Sequence, residues 1–286
     1  MRINTNISAL NAWKNLAITD GLMSKSLEKL SSGYRINRAA DDAAGLAISE
    51  KMKAQTRGLR QAVRNAQDGI SLIQTAEGAL SETHAILQRM RELMIQAGNG
   101  IYDSDDLAKI QGEITQLIDE IDGIASRTEF NGRGLLNGTL DITLQIGANK
   151  DQNMGITIGS MYAKDIGTFD PDDPTTAVLT IDKIDVTKFE EEDLDFNTQL
   201  QAIDDAISMV SSTRSDLGAY QNRLEHTINN LNTAAENLEA AGSRIRDVDM
   251  ALEMANFTRH QILQAAGTAM LAQANLTPQS ILKLLG

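Results

Sequence analysis

The chain contains no cysteine, which removes disulfides, thiolate metal sites and cysteine nucleophiles. Aromatic residues make up only 3% and prolines number three, while apolar residues reach 42%. Apolar surface must then come from Leu, Ile, Met, Val and Ala, which suits helix-on-helix packing better than a β-sandwich. No run of about eighteen apolar residues exists, so nothing is read as spanning a bilayer. The opening stretch MRINTNISALNAW interleaves polar residues and lacks the unbroken apolar core of a cleaved secretory signal.

Histidine is equally sparse. His84, His226 and His260 lie far apart, and none begins the HExxH pair that a zinc peptidase needs for metal and general base. Asp103 and Asp105 hint at a calcium loop, but Leu107, Ala108 and Ile114 stand where a ligand, a glycine and a bidentate glutamate are required. The stretch Asn131 to Gly138, NGRGLLNG, lacks the Lys-Ser/Thr and the preceding strand of a phosphate loop, and reads as turn chemistry. No catalytic constellation, cofactor site or metal site is expected, so the chain is read as a non-enzyme.

The net charge of −13 is unevenly spread. Residues 1–40 hold six Lys/Arg against two Asp/Glu, and residues 243–286 hold four against three, so the ends carry +5 and the middle −18. An acidic middle disfavours nucleic acid as a partner. Arg244, Arg246, Asp247 and Asp249 form a charge cluster that reads either as a solvated face or as an ion pair between subunits.

What is abundant is helical periodicity. A first helix is expected from about Asn6 to Ser31, with Ile7, Leu10, Ala17, Leu27 and Leu30 on one face and Ser31-Ser32-Gly33 as its stop. A second runs from about Asp42 to Gly98, where Leu59, Ala66, Ile73, Leu80, Leu87 and Met94 recur every seven residues as a coiled-coil-like seam. At ~1.5 Å per residue such a helix is a rod of roughly 80 Å. A third begins near Ser104 behind Asp103, carrying Leu107, Ile110, Ile114, Leu117, Ile121 and Ile124. The fourth spans about Asn197 to Asp249, with Leu217, Leu224, Leu231, Leu238, Ile245 and Leu252 again at heptad spacing. A last helix covers about Ala251 to Leu285.

Between the third and fourth helices, Leu140-Asp141-Ile142-Thr143-Leu144-Gln145-Ile146 alternates with period two. A turn at 147–151 and the return Gly155-Ile156-Thr157-Ile158 complete a β-hairpin at about 140–160. Residues 161–196, with Asp170-Pro171-Asp172-Asp173-Pro174 and Glu190-Glu191-Glu192-Asp193, read as a short solvated surface connection, Val178 to Val186 being a further candidate strand. The expected fold is mainly α: long antiparallel helices forming a coiled-coil rod with a small β-hairpin near the middle. Amphipathic helices at both ends, marginal alone in water, are expected to order on assembly.

Many segments resemble the bacterial flagellins. INTNISALNAWKNL, LSSGYRINRAADDAAGLAISEKMKAQTRGL, RNAQDGISLIQTAEGAL, LQRMRELMIQAGNG, FNGRGLLNG and LQIGAN are similar to the amino-terminal region of that family. AAGSRIRDVDMALEMANFTRHQILQAAGTAMLAQANLTPQSILKLLG is similar to its carboxy-terminal region. The resemblance implies a structural subunit of the flagellar filament that is exported unfolded, is secreted and extracellular, and polymerises through its terminal helices. Residues 1–42 and 243–286 would form the innermost filament domain, and 43–242 the rod-like domain. The alternative is a hook–filament junction protein, which shares such ends.

The apolar residues of the two ends, Ile3, Ile7, Leu10 and Trp13 with Leu263, Met270, Leu271 and Leu276, are expected to carry assembly, the alternative being an ordinary buried core of a stable monomer; Leu282, Leu284 and Leu285 are expected to join them. Implied partners are further copies of the chain, an export chaperone, a filament cap protein, the junction protein and host innate immune receptors. Matched by motif, Toll-like receptor recognition points to Arg89, Leu93 and Glu113, and a cytosolic sensor to Leu282, Leu284 and Leu285.

Overall fold

Each helix boundary has a local cause. Asn6 caps the first helix, α1 (Ile7–Ser32), by accepting the Ala9 amide at 3.1 Å, and Gly33 closes it in the left-handed region (φ 74°), its N–H donating to the Lys29 carbonyl at 2.9 Å. That termination needs a residue without Cβ strain. The Asp42 carboxylate accepts the Gly45 amide at 2.8 Å and starts α2 (Ala43–Ala97). Asp103 plays the same part for α3 (Ser104–Arg127), accepting the Ser104 amide at 2.8 Å. α4 (Phe196–Arg246) and α5 (Met250–Leu285) complete the helices. In this computed structural model residues 6–169, 177–189 and 195–285 are described, with 169, 177, 178 and 277–285 as backbone only.

Two compact units result. One contains residues 1–56 and 235–286, the other 57–234, and α2 and α4 supply residues to both. In the second unit the α2 heptad Leu59, Ala66, Ile73, Leu80, Leu87 and Met94 is buried throughout. Ile110, Ile114, Ile118, Ile121 and Ala125 of α3, with Ile203, Val210, Leu217 and Leu224 of α4, meet Ala66, Ile73, Leu80, Leu87 and Met94 of that heptad in one core. Arg91 on α2 ties to Asp204 on α4 at 2.7 Å, and hydrogen bonding to Asp204 raises the Arg91 pKa. Ile118 belongs to this core although the expected α3 stripe omitted it.

The antiparallel hairpin of β3 (Asn137–Gln145) and β4 (Asn153–Ser160) pairs Leu140 with Ile158, Ile142 with Ile156 and Leu144 with Met154. Leu140, Met154, Ile156 and Ile158 are buried, as period-two alternation requires. Gly69 of α2 lets the hairpin lie close: a Cβ there would stand 2.4 Å from Leu144 Cδ1. Upstream, β1 (Glu129–Phe130) and β2 (Arg133–Gly134) are joined by Asn131-Gly132, at φ 51° and 73°, the two-residue turn that matches strand twist.

The expectation of a solvated connection over 161–196 is corrected. Met161, Ala163, Ile166, Leu179, Ile181, Ile184 and Val186 are all buried. β5 (Gly167–Phe169) pairs antiparallel with β6 (Ala177–Thr180), after which the chain turns through a 3₁₀ helix at Ile181–Lys183 instead of continuing as a strand to Val186. Two glutamine amides then pin this segment. Gln111 of α3 donates to the Ile184 carbonyl at 3.0 Å and accepts the Val186 amide at 2.9 Å. Gln199 of α4 does likewise with Asp185, both bonds at 3.0 Å. The stretches Asp170–Pro174 and Glu190–Asp193 lie outside the described residues.

Candidate assembly surface of the terminal helices

In the first unit, α1 and α5 run antiparallel. The Asn6 side chain donates to the Ala274 carbonyl at 2.8 Å, Asp20 accepts from Gln264, and Lys29 approaches Glu253 at 4.0 Å. Wholly or half-buried residues of α1 recur at spacings of three and four, at Ala9, Ala12, Leu16, Thr19, Met23, Ser26 and Leu30, with Glu28 and Lys29 also half-buried near its end. On α5 the matching series is Glu253, Phe257, His260, Gln264, Gly267, Leu271 and Ala274. Leu16 Cδ1 would meet a Cβ at Gly267 at 3.2 Å, so the helices mesh there. This is a heptad seam made largely of small and polar side chains.

Leu16, Met23, Leu30, Phe257 and Leu271 lie in the seam, but many other large apolar residues are left exposed. Ile7, Leu10, Trp13, Ile18, Leu22 and Leu27 on α1 are exposed, Trp13 at 61%. So are Leu252, Met254, Ile262, Leu263, Met270 and Leu276 on α5. Two details of the expected pattern change. Leu30 and Leu271 lie in the seam and not in the outward rows. The α4 heptad does not extend to Leu252, because α4 ends at Arg246 and Leu252 stands exposed in α5. Ile3 lies outside the described residues, as do the side chains of Leu282, Leu284 and Leu285.

A backbone clasp holds the bases of the two terminal segments together. The Arg35 amide donates to the Arg246 carbonyl at 2.7 Å and the Val248 amide to the Gly33 carbonyl at 3.0 Å, giving an antiparallel bridge between Tyr34 and Asp247. The Arg35 guanidinium also donates to the Ile245 carbonyl. Arg246 pairs with Glu50 at 2.6 Å, and Asp249 starts α5 by accepting the Ala251 and Leu252 amides at 3.0 and 3.1 Å. Of the four charges singled out from sequence, Arg246 and Asp249 use their side chains inside this unit; Asp247 takes part through its backbone, and its side chain, like that of Arg244, is exposed.

In the other unit, Arg89 and Glu113 come together across α2 and α3 at 2.9 Å, with Glu92 at 3.1 Å on the second side of the guanidinium. Hydrogen bonding to Glu113 and then to Glu92 raises the Arg89 pKa. Leu93 does not join them at the surface. It is 2% exposed and packs in the core, so its place in a receptor contact set is corrected to that of a packing residue. Among the described residues no group of three His, Asp or Glu is arranged to hold a metal ion, and no helix is long and apolar enough to cross a membrane.

Long helices from both ends, paired through a seam that leaves much of their bulky hydrocarbon exposed, define a helical structural subunit. The profile of the bacterial flagellin N-terminal helical region matches residues 3–141, and that of the bacterial flagellin C-terminal helical region matches residues 200–285. Flagellin of Bacillus subtilis is 56% identical and flagellin of Halalkalibacterium halodurans 53%, each over 100% of both chains. The flagellar filament 33 kDa core protein of Treponema phagedenis is 50% identical, again over 100% of both. The chain belongs to the bacterial flagellin family and is a structural subunit of the flagellar filament. The hook–filament junction alternative is not favoured.

Proposed function

We propose that the outward apolar rows of α1 and α5 are the surface through which the subunit polymerises. Residues 1–42 and 243–286 form the innermost filament domain in this reading, and 43–242 the rod-like domain. One observation carries it: the intramolecular seam shields Leu16, Met23, Leu30, Phe257 and Leu271 among small and polar residues such as Ala9, Ser26 and Gly267, while Leu10, Trp13, Leu263 and Met270 are left about half-exposed or more. Each such side chain withdrawn from water contributes roughly 1.5–3 kcal/mol, so a neighbouring copy is the natural cover. An open helical polymer requires unlike patches to meet without closing a ring, and two rows on two helices supply them.

The family resemblance extends this to an extracellular filament of subunits exported unfolded, served by a chaperone at the carboxy-terminal segment, a cap protein at the growing tip and a junction protein at the base. It also supports innate immune recognition at Arg89 and Glu113, and a structural role without enzymatic activity. The test is Trp13→Asp in a seeded polymerisation followed by electron microscopy. We expect monomers of unchanged helical content that form no filaments; filaments of normal yield and length would overturn the reading.

A further inference from the structure

With no cysteine in the chain, every sulfur is a methionine thioether. These are sorted by position. Met90, Met94, Met154 and Met161 are buried in the core of the second unit, and Met23, Met52 and Met209 are half-buried. The exposed ones among the described residues are Met250 at 48%, Met254 at 49% and Met270 at 65%, all on α5. Exposed thioethers are the ones that hydroperoxides reach, and oxidation turns a flexible apolar side chain into a polar, chiral one.

We infer that Met254 and Met270, in the exposed rows of α5, and Met250 at its start are separate oxidation-sensitive positions that gate the assembly competence of the free subunit. The inference rests on the polymerisation surface proposed above. The oxidant is a hydroperoxide such as hydrogen peroxide. The thioether lone pair attacks the terminal oxygen, an S–O bond forms as the O–O bond breaks, and the departing oxygen takes the proton and leaves as water. Sulfur loses two electrons and the peroxide gains them. The sulfoxide places a strong acceptor in a row that must become dry, where an unpaired polar group is unfavourable. Reduction by a methionine sulfoxide reductase, with two thiols giving a disulfide and water, returns the thioether. Polymerisation shields the row, so a filament resists the oxidant that disables its precursor.

The test treats monomer and filament separately with hydrogen peroxide, maps sulfoxide at each methionine by peptide mass spectrometry, and measures seeded elongation. We expect oxidised monomer to elongate about ten-fold more slowly, reductase to restore the rate, and Met250→Leu/Met254→Leu/Met270→Leu monomer to keep its rate after peroxide. If the triple variant itself fails to assemble, reductase rescue of oxidised wild-type monomer decides the matter. Monomer carrying all three sulfoxides yet elongating at the unmodified rate overturns the inference. Should Met270 instead oxidise as fast in filaments as in monomer, the polymerisation surface itself is wrong.

Discussion

The guanidinium carbon of Arg246 lies 4.5 Å from the centroid of the Tyr34 ring. The same guanidinium reaches Glu50 at 2.6 Å, so one side chain joins a loop, the start of α2 and the end of α4. A cation over an aromatic face contributes ~0.5–2 kcal/mol, depending on desolvation. Tyr34→Ala is expected to speed amide exchange at Val248, whose N–H donates to Gly33 across the clasp, and Tyr34→Phe to leave it near wild type. Unchanged exchange in Tyr34→Ala would assign the clasp to its backbone bonds alone.

Gln111 and Gln199 provide a second test. Each amide makes two backbone hydrogen bonds to residues 184–186, and Gln199 is wholly buried. Removing either side chain leaves buried backbone groups without partners, at a cost of ~1–3 kcal/mol. Urea unfolding of Gln111→Ala and Gln199→Ala should show losses of that order. A loss below about 0.5 kcal/mol, the size of an ordinary surface change, would mean that water or the neighbouring chain replaces the amide.

Leu80 and Leu27 are the same residue type in opposite settings, one wholly buried and the other 57% exposed. Leu80→Ala should destabilise the monomer by ~2–5 kcal/mol in denaturant titration, the usual cost of an emptied core site. Leu27→Ala should leave monomer stability within about 0.5 kcal/mol yet raise the concentration needed for polymerisation. Equal effects of Leu27→Ala on monomer and polymer would refute the division between core heptad and outward row.

Acid should reach the loop before α2 in a defined way. The Asp41 carboxylate accepts the Arg38 and Asn37 amides at 3.0 and 3.2 Å, and these bonds, that from Arg38 first, hold its pKa below the ordinary aspartate value. A folded-state pKa below the unfolded one means stabilisation that is complete above the unfolded value and disappears as pH falls through the folded value. An NMR titration should place the Asp41 midpoint below that of an unstructured aspartate. A midpoint at or above it would show that the two amide bonds do not persist in solution.

The α2 heptad and the hairpin were legible because large apolar residues at period seven and period two leave no rival face to bury. The α1–α5 seam was not. The stripe of Ile7, Leu10, Ala17, Leu27 and Leu30 read from the sequence catches only Leu30 of the seam and passes over Ala9, Ala12, Thr19 and Ser26. Small and polar residues can form a close helix contact without any hydrophobic signal in the sequence. Residues 161–186 are hidden in the sequence for a different reason: their acidic neighbours suggest a solvated loop, and the Gln111 bond that pins them spans 73 residues of chain. The position of Leu93 is a third case, since a motif shared with a family marks a region without saying which of its side chains face out.

The outward rows of α1 and α5 have a thermal consequence. Near room temperature the gain from shielding hydrocarbon is almost wholly a release of ordered water, and it fades on cooling. A polymer cemented by Trp13, Leu263 and their companions would then cohere better warm than chilled, shedding subunits in the cold.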